Sequence, residues 1–191
     1  LSYSNPMSKT ETKLLEGVET FDASYDKGKV IYLKKCPLDA NVNTCDTNVH
    51  VYNMRTKEST SIGADLFRPR AVTFSPDDQY IVVESGTGAV GSTSVFSLSG
   101  GNAICNFSGS PTWISNLEAL VMYFDKNVAA RPGEIMEGAG VRKVNIQTCK
   151  TEDLIKPTDL ADYLIIELQG TDLIVMKTSV SNTSDWSNFG S

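Results

Sequence analysis

The stretch Ser75-Pro-Asp-Asp-Gln-Tyr-Ile-Val-Val83 decides the fold, because the chain contains its pattern more than once. It consists of a small polar turn followed by an apolar, β-branched run, which is typical of a strand. The same order occurs at residues 24–33 and 115–123, and more weakly at 169–176. An apolar segment precedes each copy, so each copy predicts a hairpin of two strands.

A second element, an apolar strand that runs into a polar turn, repeats between these hairpins. Its anchors are Met7, Met54, Leu98 and Ile146, which are 47, 44 and 48 residues apart. A period of about 40–50 residues with four strands per unit is the signature of propeller blades. Helical periodicity is almost absent, so the sequence predicts an all-β chain folded as a β-propeller.

The two ends of the chain are predicted to share the last blade. The chain starts with what would be two outer strands and finishes, over residues 163–176, with what would be two inner strands. If these meet, the ring closes with four blades and leaves no exposed sheet edge. We therefore expect one domain over residues 1–191, with a fragment of a larger propeller as the alternative. The expected blades are 18–67, 68–109, 110–157, and 158–191 together with 1–17.

The turn of the second expected blade carries a family resemblance. Phe74-Ser-Pro-Asp-Asp-Gln-Tyr-Ile-Val-Val83 resembles the TolB-type propeller repeat, which has a Phe-Ser-Pro-Asp-Gly turn between the two inner strands of each blade. Asp78 stands where that family usually has Gly, and only the blade at residues 71–109 matches well. The resemblance implies a propeller that binds proteins or has an accessory role in the cell envelope. Related propellers also cap serine peptidases.

A glycine-rich segment after the predicted strand at Tyr80 has the spacing of a dinucleotide-binding loop. Gly86-Thr-Gly88-Ala-Val-Gly91 matches G-x-G-x-x-G, but such a site needs a helix that begins in the loop and an acid about 20 residues later. A strand pattern follows Gly91 instead, and no Asp or Glu lies between Glu84 and Glu118. We therefore interpret the segment as a hairpin loop between the second and third strands of one blade, and we expect no cofactor.

Composition restricts the partners. The 191 residues are 40% hydrophobic and 21% charged, which is ordinary for a globular protein. The net charge of -6 argues against nucleic acid or an anionic membrane surface as the main partner, since both need a basic face. No apolar run approaches the roughly 18 residues of a membrane span. The chain begins at Leu1 without signal-peptide features, so we expect either a removed leader or a piece of a longer chain.

Four cysteines indicate disulfides and an oxidising compartment. Cys36 and Cys45 flank a short polar loop between two predicted strands, so we expect them to pair. A bond between Cys105 and Cys149 follows only by elimination and stays open. The chain has no C-x-x-C and a single histidine, which leaves too few ligands for a common zinc site.

Catalysis finds little support in the sequence. No G-x-S-x-G nucleophile elbow occurs, and a Ser-His-Asp triad has only His50 to use. We interpret His50, which lies in a predicted strand, as a structural or surface residue. Oxygen ligands alternate in the Cys36–Cys45 loop as they do in calcium loops, but the loop lacks the Gly and the bidentate Glu of such sites. We therefore favour an Asn/Asp-rich disulfide loop over a weak calcium site formed by Asp39, Asn41, Asn43 and Asp46.

Two sequons and a polar tail complete the candidate features. Asn106 and Asn182 each begin an N-x-S/T triplet, a weak signal for glycosylation of an exported protein. The tail, residues 178–191, is rich in Ser, Asn and Thr and contains Trp186 and Phe189. We expect this tail to pack on its own domain as the closing strand of the last blade.

These observations leave three classes of function. We favour a non-enzymatic, exported structural or protein-interaction module of the cell surface or envelope. Self-assembly into filaments through its terminal segments is one form that this module could take. The second class is a TolB-like periplasmic adaptor that binds other envelope proteins through one propeller face. The third is the propeller portion of a serine peptidase, which would require a hydrolase domain.

Overall fold

The computed structural model describes residues 1–5, 9–36, 46–62, 66–86, 91–124, 139–157, 161–169 and 172–179. These residues form strands and no helix, which confirms the all-β prediction. In chain order the strands are β1 (Ser2–Asn5), β2 (Thr10–Lys13), β3 (Val18–Ala23), β4 (Lys29–Lys34), β5 (Val49–Asn53), β6 (Ser59–Ile62), β7 (Pro69–Phe74), β8 (Tyr80–Ser85), β9 (Ser92–Ser97), β10 (Cys105–Ser108), β11 (Thr112–Trp113), β12 (Glu118–Phe124), β13 (Ala139–Asn145), β14 (Lys150–Ile155), β15 (Ala161–Gln169) and β16 (Asp172–Ser179).

Neighbouring strands in the chain pair with one another in antiparallel sheets. The first sheet consists of β3–β6, the second of β7–β10 and the third of β11–β14. β1 and β2 form an N-terminal hairpin, and β15 and β16 form a C-terminal hairpin. Each four-stranded sheet falls within the residues expected for one blade. The number of blades and the closure of the ring stay predictions.

The chain divides into two compact units, Leu1–Phe107 and Ser108–Ser191. The main core of the first unit lies between the first and second sheets. The first sheet contributes Ile31, Leu33, Val49, Val51 and Ile62, and the second contributes Val72, Phe74, Ile81, Val83 and Phe96. Leu66, from the segment that joins the two sheets, packs into the same cluster.

The inner strands are buried on both faces, which explains their uninterrupted apolar runs. In β4 the four residues from Val30 to Leu33 are all at most 6% exposed, although alternate side chains point to opposite faces. One face of β4 packs toward the second sheet. The other face, with Val30 and Tyr32, packs against leucines of the N-terminal hairpin segment, Leu1, Leu14 and Leu15.

The repeated sequence turn has the same geometry in the first and second sheets. The Ser24 hydroxyl bonds the Asp26 carboxylate at 2.7 Å and accepts the Lys29 backbone N–H at 2.9 Å. Ser75 does the same with Asp77, at 2.7 Å, and with the N–H of Tyr80, at 3.0 Å. Both serines are 2% exposed, so the hydroxyl satisfies buried backbone and carboxylate groups within the turn.

The second unit has its own apolar core on β12 and β13. Ala119, Val121, Val141 and Val144 are each at most 1% exposed. The outer strand β14 is mostly exposed and is tied to β13 by charges. For example, Arg142 donates to Asp153 at 2.7 Å. That bond, with the proximity of the Arg142 charge, lowers the pKa of the Asp153 carboxyl below its usual value.

Candidate functional site

The two inner turns lie at the same end of the first unit. The backbone N–H of Tyr25 donates to the Asp78 carboxylate at 2.6 Å, so the turn of the first sheet is bonded directly to that of the second. Because adjacent strands are antiparallel, the β4–β5 and β8–β9 connections must leave from the opposite end. We call that opposite end the loop end. Among the described residues it comprises 14–17, 35–36, 46–48, 66–68, 86 and 91.

Each sheet anchors its loop at the loop end in the same way. The N–H of Lys35, directly after β4, donates to the Gly17 carbonyl at 2.6 Å. The N–H of Gly86, directly after β8, donates to the carbonyls of Phe67 and Arg68, both at 3.1 Å. Gly17 and Arg68 both have a positive φ, 62° and 51°, which is unusual for arginine. In the first and second sheets, the segment before the first strand is thus hydrogen-bonded to the residue that follows the second strand.

An exposed aromatic residue stands on this anchored segment. Phe67 is 69% exposed, and the Arg68 guanidinium carbon lies 5.5 Å from the centroid of its ring. Nearby, Arg70 bonds Glu84 at 3.4 Å, and a Cβ added to Gly91 would meet the Arg70 guanidinium at 2.4 Å. Gly91, the last glycine of the G-x-G-x-x-G segment, has no Cβ and therefore leaves room for the Arg70 guanidinium. β9 begins at Ser92, so a strand follows the loop, as predicted.

A polar cluster lies at the base of the β4–β5 connection. Asp46 accepts hydrogen bonds from Lys34 at 2.7 Å, from His50 at 2.9 Å, and from the backbone and side chain of Asn48 at 3.1 and 3.0 Å. Burial raises the pKa of the Asp46 carboxyl, but these hydrogen bonds outweigh burial and hold that pKa well below its usual range. The Asp46–Lys34 bond in turn raises the pKa of Lys34. The cluster fixes the chain where it re-enters the sheet.

His50 belongs to this cluster. It is 8% exposed, and its ring stacks on Tyr32 with 5.0 Å between centroids. The Tyr32 hydroxyl bonds Ser59 at 2.8 Å. This environment is that of a packed histidine within a sheet.

The calcium candidates fall mostly outside the described residues, where Asp39, Asn41 and Asn43 lie. Both carboxylate oxygens of Asp46 already accept hydrogen bonds, so a cation would have to displace them. Within the described parts of the chain, no group of three or more acidic, histidine or cysteine side chains is placed to hold a metal. The calcium site stays a weak prediction.

The structure places the cysteines and sequons as follows. Cys36, Cys105 and Cys149 are each disulfide-bonded, whereas Cys45 lies outside the described residues. Cys105 is buried at the start of β10, and Cys149 is exposed in the β13–β14 turn. Which cysteines pair stays a prediction.

Asn106 is exposed on β10, and its side-chain oxygen accepts a 2.7 Å hydrogen bond from Ser94. Asn182, Trp186 and Phe189 lie outside the described residues. Glycosylation at either sequon, and the packing of the tail, stay predictions.

Sequence reasoning missed an apolar slot beside the N-terminal hairpin. Its volume is about 310 Å³. Phe21, which is 50% exposed, and Ala23 lie on its β3 side, and Ser2 lies on its β1 side. The other lining residues are Leu1, Leu14, Lys27, Val30 and Met54. The only signal in the sequence is a set of leucines at positions 1, 14 and 15 near an otherwise polar strand pair.

No protein-family model matches the chain, and no curated protein does. Solved structures match it. The β-propeller domain of the Trilobed protease from Pyrococcus furiosus is 12% identical, with a TM-score of 0.63 over 93% of this chain and 55% of that one. The acylaminoacyl peptidase of Pyrococcus horikoshii is also 12% identical, with a TM-score of 0.63 over 95% of this chain and 31% of that one. TolB from Acinetobacter baumannii is 12% identical, with a TM-score of 0.48 over 92% of this chain and 45% of that one.

The two likenesses with a TM-score of 0.63 show the fold, which is that of a β-propeller. The chain spans about half the length of the propeller domain that it matches. The TolB-type resemblance rests on the residues of the Phe74 stretch. No helix in the described part of the chain is long and apolar enough to cross a membrane.

Proposed function

We propose that this chain is a non-enzymatic, exported propeller module that binds proteins through its loop end, at the cell surface or in the envelope. The observation that carries the proposal lies at the loop end of the first unit. There, residues 35–48 separate β4 from β5 and residues 86–91 separate β8 from β9. The described residues beside them include the exposed side chains of Phe67 and Arg68.

Long connections on a rigid sheet are where binding residues concentrate. At the loop end of the first unit, the Phe67 ring and the Arg68 guanidinium are both exposed, and Phe67 is anchored through its carbonyl to Gly86. Aromatic residues, including phenylalanine, and arginine are enriched at protein interfaces. Disulfide-bonded cysteines favour an oxidising compartment, which is the support for export.

The proposal includes the arrangement of the ring. The N-terminal and C-terminal hairpins are each half a blade, and we propose that hairpins of these two kinds combine into one four-stranded sheet, so that residues 158–191 and 1–17 make up one blade. Self-assembly, including into filaments, belongs to this proposal because a half-blade presents unpaired strand edges.

A photo-reactive phenylalanine analogue tests the binding face. We would place it at Phe67, at the loop end. In the control variant we would place it at Tyr25, an 89% exposed aromatic residue in the β3–β4 turn at the opposite end of the first unit. Irradiation in cells that produce the protein should give discrete adducts of defined mass from position 67 and few from position 25. Equal adducts from both positions, or none from position 67, would contradict binding through the loop end.

Two alternatives predict different results. A TolB-like adaptor would give loop-end adducts with envelope proteins while the chain itself remained a monomer. The propeller portion of a serine peptidase would crosslink to a hydrolase domain, and its release would change peptidase activity. The peptidase likenesses, at 12% identity, show only the shared fold and do not favour this second alternative.

A further inference from the structure

We infer that the apolar slot beside the N-terminal hairpin binds strand β16 of a second copy of this chain. The inference rests on the interaction role proposed above and deepens it by naming a partner and a surface. The first unit contains the same position of the repeat in two sheets.

Phe21 and Val72 are equivalent positions in the first and second sheets. Each lies three residues before the turn serine of its sheet, and each pairs with the third residue of the inner strand run, Tyr32 or Val83. Val72 is 2% exposed, whereas Phe21 is 50% exposed. The same position in the repeat is therefore buried in the second sheet and half exposed in the first.

The difference follows from what covers each face. The face that carries Val72 packs against the first sheet, whose inner strands β3 and β4 contact β7. The corresponding face of the first sheet is covered by the N-terminal hairpin segment, which packs on Val30 and Tyr32 of β4 and on Tyr52 of β5. In the described part of the first unit, the slot lies between β3 and the N-terminal hairpin segment. The described residues include no counterpart there of the strands that pack on the equivalent face of the second sheet.

The pairing of β1 indicates how such strands would attach. Among the described residues β1 pairs only with β2, and its other edge pairs with no described strand. An edge of this kind is a template for pairing with another chain. Leu1 and Ser2, at the start of β1, line the slot. A strand that paired with this edge would place one row of side chains against Phe21 and Ala23. This is recognition by β-strand addition, in which the backbone gives affinity and a side-chain pocket gives specificity.

The C-terminal hairpin has the properties that this slot requires. β16 pairs only with β15 among the described residues, so it too has an unpaired edge. Its run Leu173-Ile-Val-Met176 is apolar at every position, and Ile174 is 39% exposed. Pairing β16 with β1 would give the order β15-β16-β1-β2, which is the pattern of the first sheet. An apolar strand whose edge pairs with no described strand is a template for pairing with another chain.

A second copy supplies this strand without requiring a ring of only four blades, the low end of the usual range. The contact joins different surfaces of the two copies. Such a contact either closes into a ring or propagates as a filament.

Light scattering with matched lysine variants tests the inference. Wild type should form assemblies of at least twice the chain mass of 20.8 kDa. Phe21→Lys and Ile174→Lys should each weaken association by roughly 30-fold or more, as expected for the centre of an interface. Tyr25→Lys, at an 89% exposed position outside the slot, and Leu154→Lys, at a 44% exposed position on β14, are the controls and should assemble like wild type.

Mixing Phe21→Lys with Ile174→Lys distinguishes two arrangements. In one, β16 pairs with the slot of another copy; in the other, it pairs with the slot of its own chain. The Phe21→Lys copy keeps an intact β16, and the Ile174→Lys copy keeps an intact slot, so their mixture should form capped pairs of twice the chain mass. This recovery would also show that both variants are folded.

A wild type that stays at 20.8 kDa at high concentration, or a mixture that stays monomeric, would overturn the inference. Neither result would affect crosslinking at Phe67. Failure of this inference would therefore remove self-assembly through the hairpins but leave binding through the loop end standing.

Discussion

The first and second sheets share a turn but differ in what surrounds it. Ser24 and Ser75 make equivalent hydrogen bonds and are equally buried. Three residues earlier, Phe21 is half exposed and Val72 is buried. The turn is determined by residues within it, whereas the burial of the preceding strand depends on which element packs against its face. A repeat in sequence therefore predicts local geometry better than it predicts which copies carry an open surface.

A second pair of equivalent positions shows the same principle with polar groups. His50 pairs with Tyr32 across the first sheet as Ser94 pairs with Val83 across the second, and both polar residues are less than 9% exposed. His50 bonds Asp46 in the loop that precedes β5, whereas Ser94 donates to Asn106 on β10. Each sheet satisfies the buried polar group, but only the first does so with an ionised partner that belongs to a long loop.

The largest expected effect comes from truncating the equivalent strand residues. Val72→Ala should lower the free energy of unfolding by about 2 kcal/mol, because it leaves a cavity in a closed core. Phe21→Ala removes a larger side chain but should cost only about 1 kcal/mol, because the ring is already half solvated. Urea unfolding of dilute protein measures both. A larger loss for Phe21→Ala under these conditions would mean that the slot is filled within a single chain.

The pH dependence of stability should distinguish the two polar positions. The pKa of Asp46 is lowered in the folded protein, so its contribution is complete above the unfolded value of about 3.9 and is lost as the pH falls through the folded pKa. Asp46→Asn should therefore be less stable than wild type at pH 7, and the difference should shrink toward pH 2. Comparing the variant with wild type at each pH removes the contribution of other carboxyls with lowered pKa, such as Asp153. A difference that stays constant with pH would contradict the role given to Asp46.

Much of the fold was predictable because its signals are local. The period of the anchors, the serine turns and the apolar runs each depend on residues within one hairpin, and the predicted strands are present. The slot was not predictable, since the exposure of Phe21 depends on a hairpin that does not cover it. Nor was the Arg68 conformation, because nothing in the sequence distinguishes an arginine at positive φ from any other. Both features arise from contacts between segments that are distant in sequence.

The turn serines should have intermediate effects, graded by burial. Ser24→Ala and Ser75→Ala should each cost about 1–2 kcal/mol, because the hydroxyl satisfies a buried backbone N–H and a carboxylate. Ser115, in the third copy of the turn, is exposed and accepts the N–H groups of Leu117 and Glu118 at 3.3 and 3.1 Å. Ser115→Ala should cost less, since water can replace its bonds. Thermal unfolding of the three variants measures the order, and equal losses would show that burial does not set it.

The smallest effects on stability are expected at Lys27 and Asp78, which occupy the same position in the turns of the first and second sheets but differ in charge. Replacement by glycine should have opposite effects on stability at these two residues. Lys27 and Asp78 both have a left-handed φ, 56° and 57°, a conformation that favours glycine. Lys27→Gly should relieve that strain and stabilise the protein by about 0.5 kcal/mol. Asp78→Gly relieves the same strain but removes the acceptor for the Tyr25 N–H, so it should destabilise by about 0.5–1 kcal/mol. Asp78→Asn keeps an acceptor and should lie near wild type. If glycine stabilised both positions equally, the Asp78–Tyr25 bond would contribute nothing, and the departure of this turn from the Phe-Ser-Pro-Asp-Gly pattern would have no structural explanation.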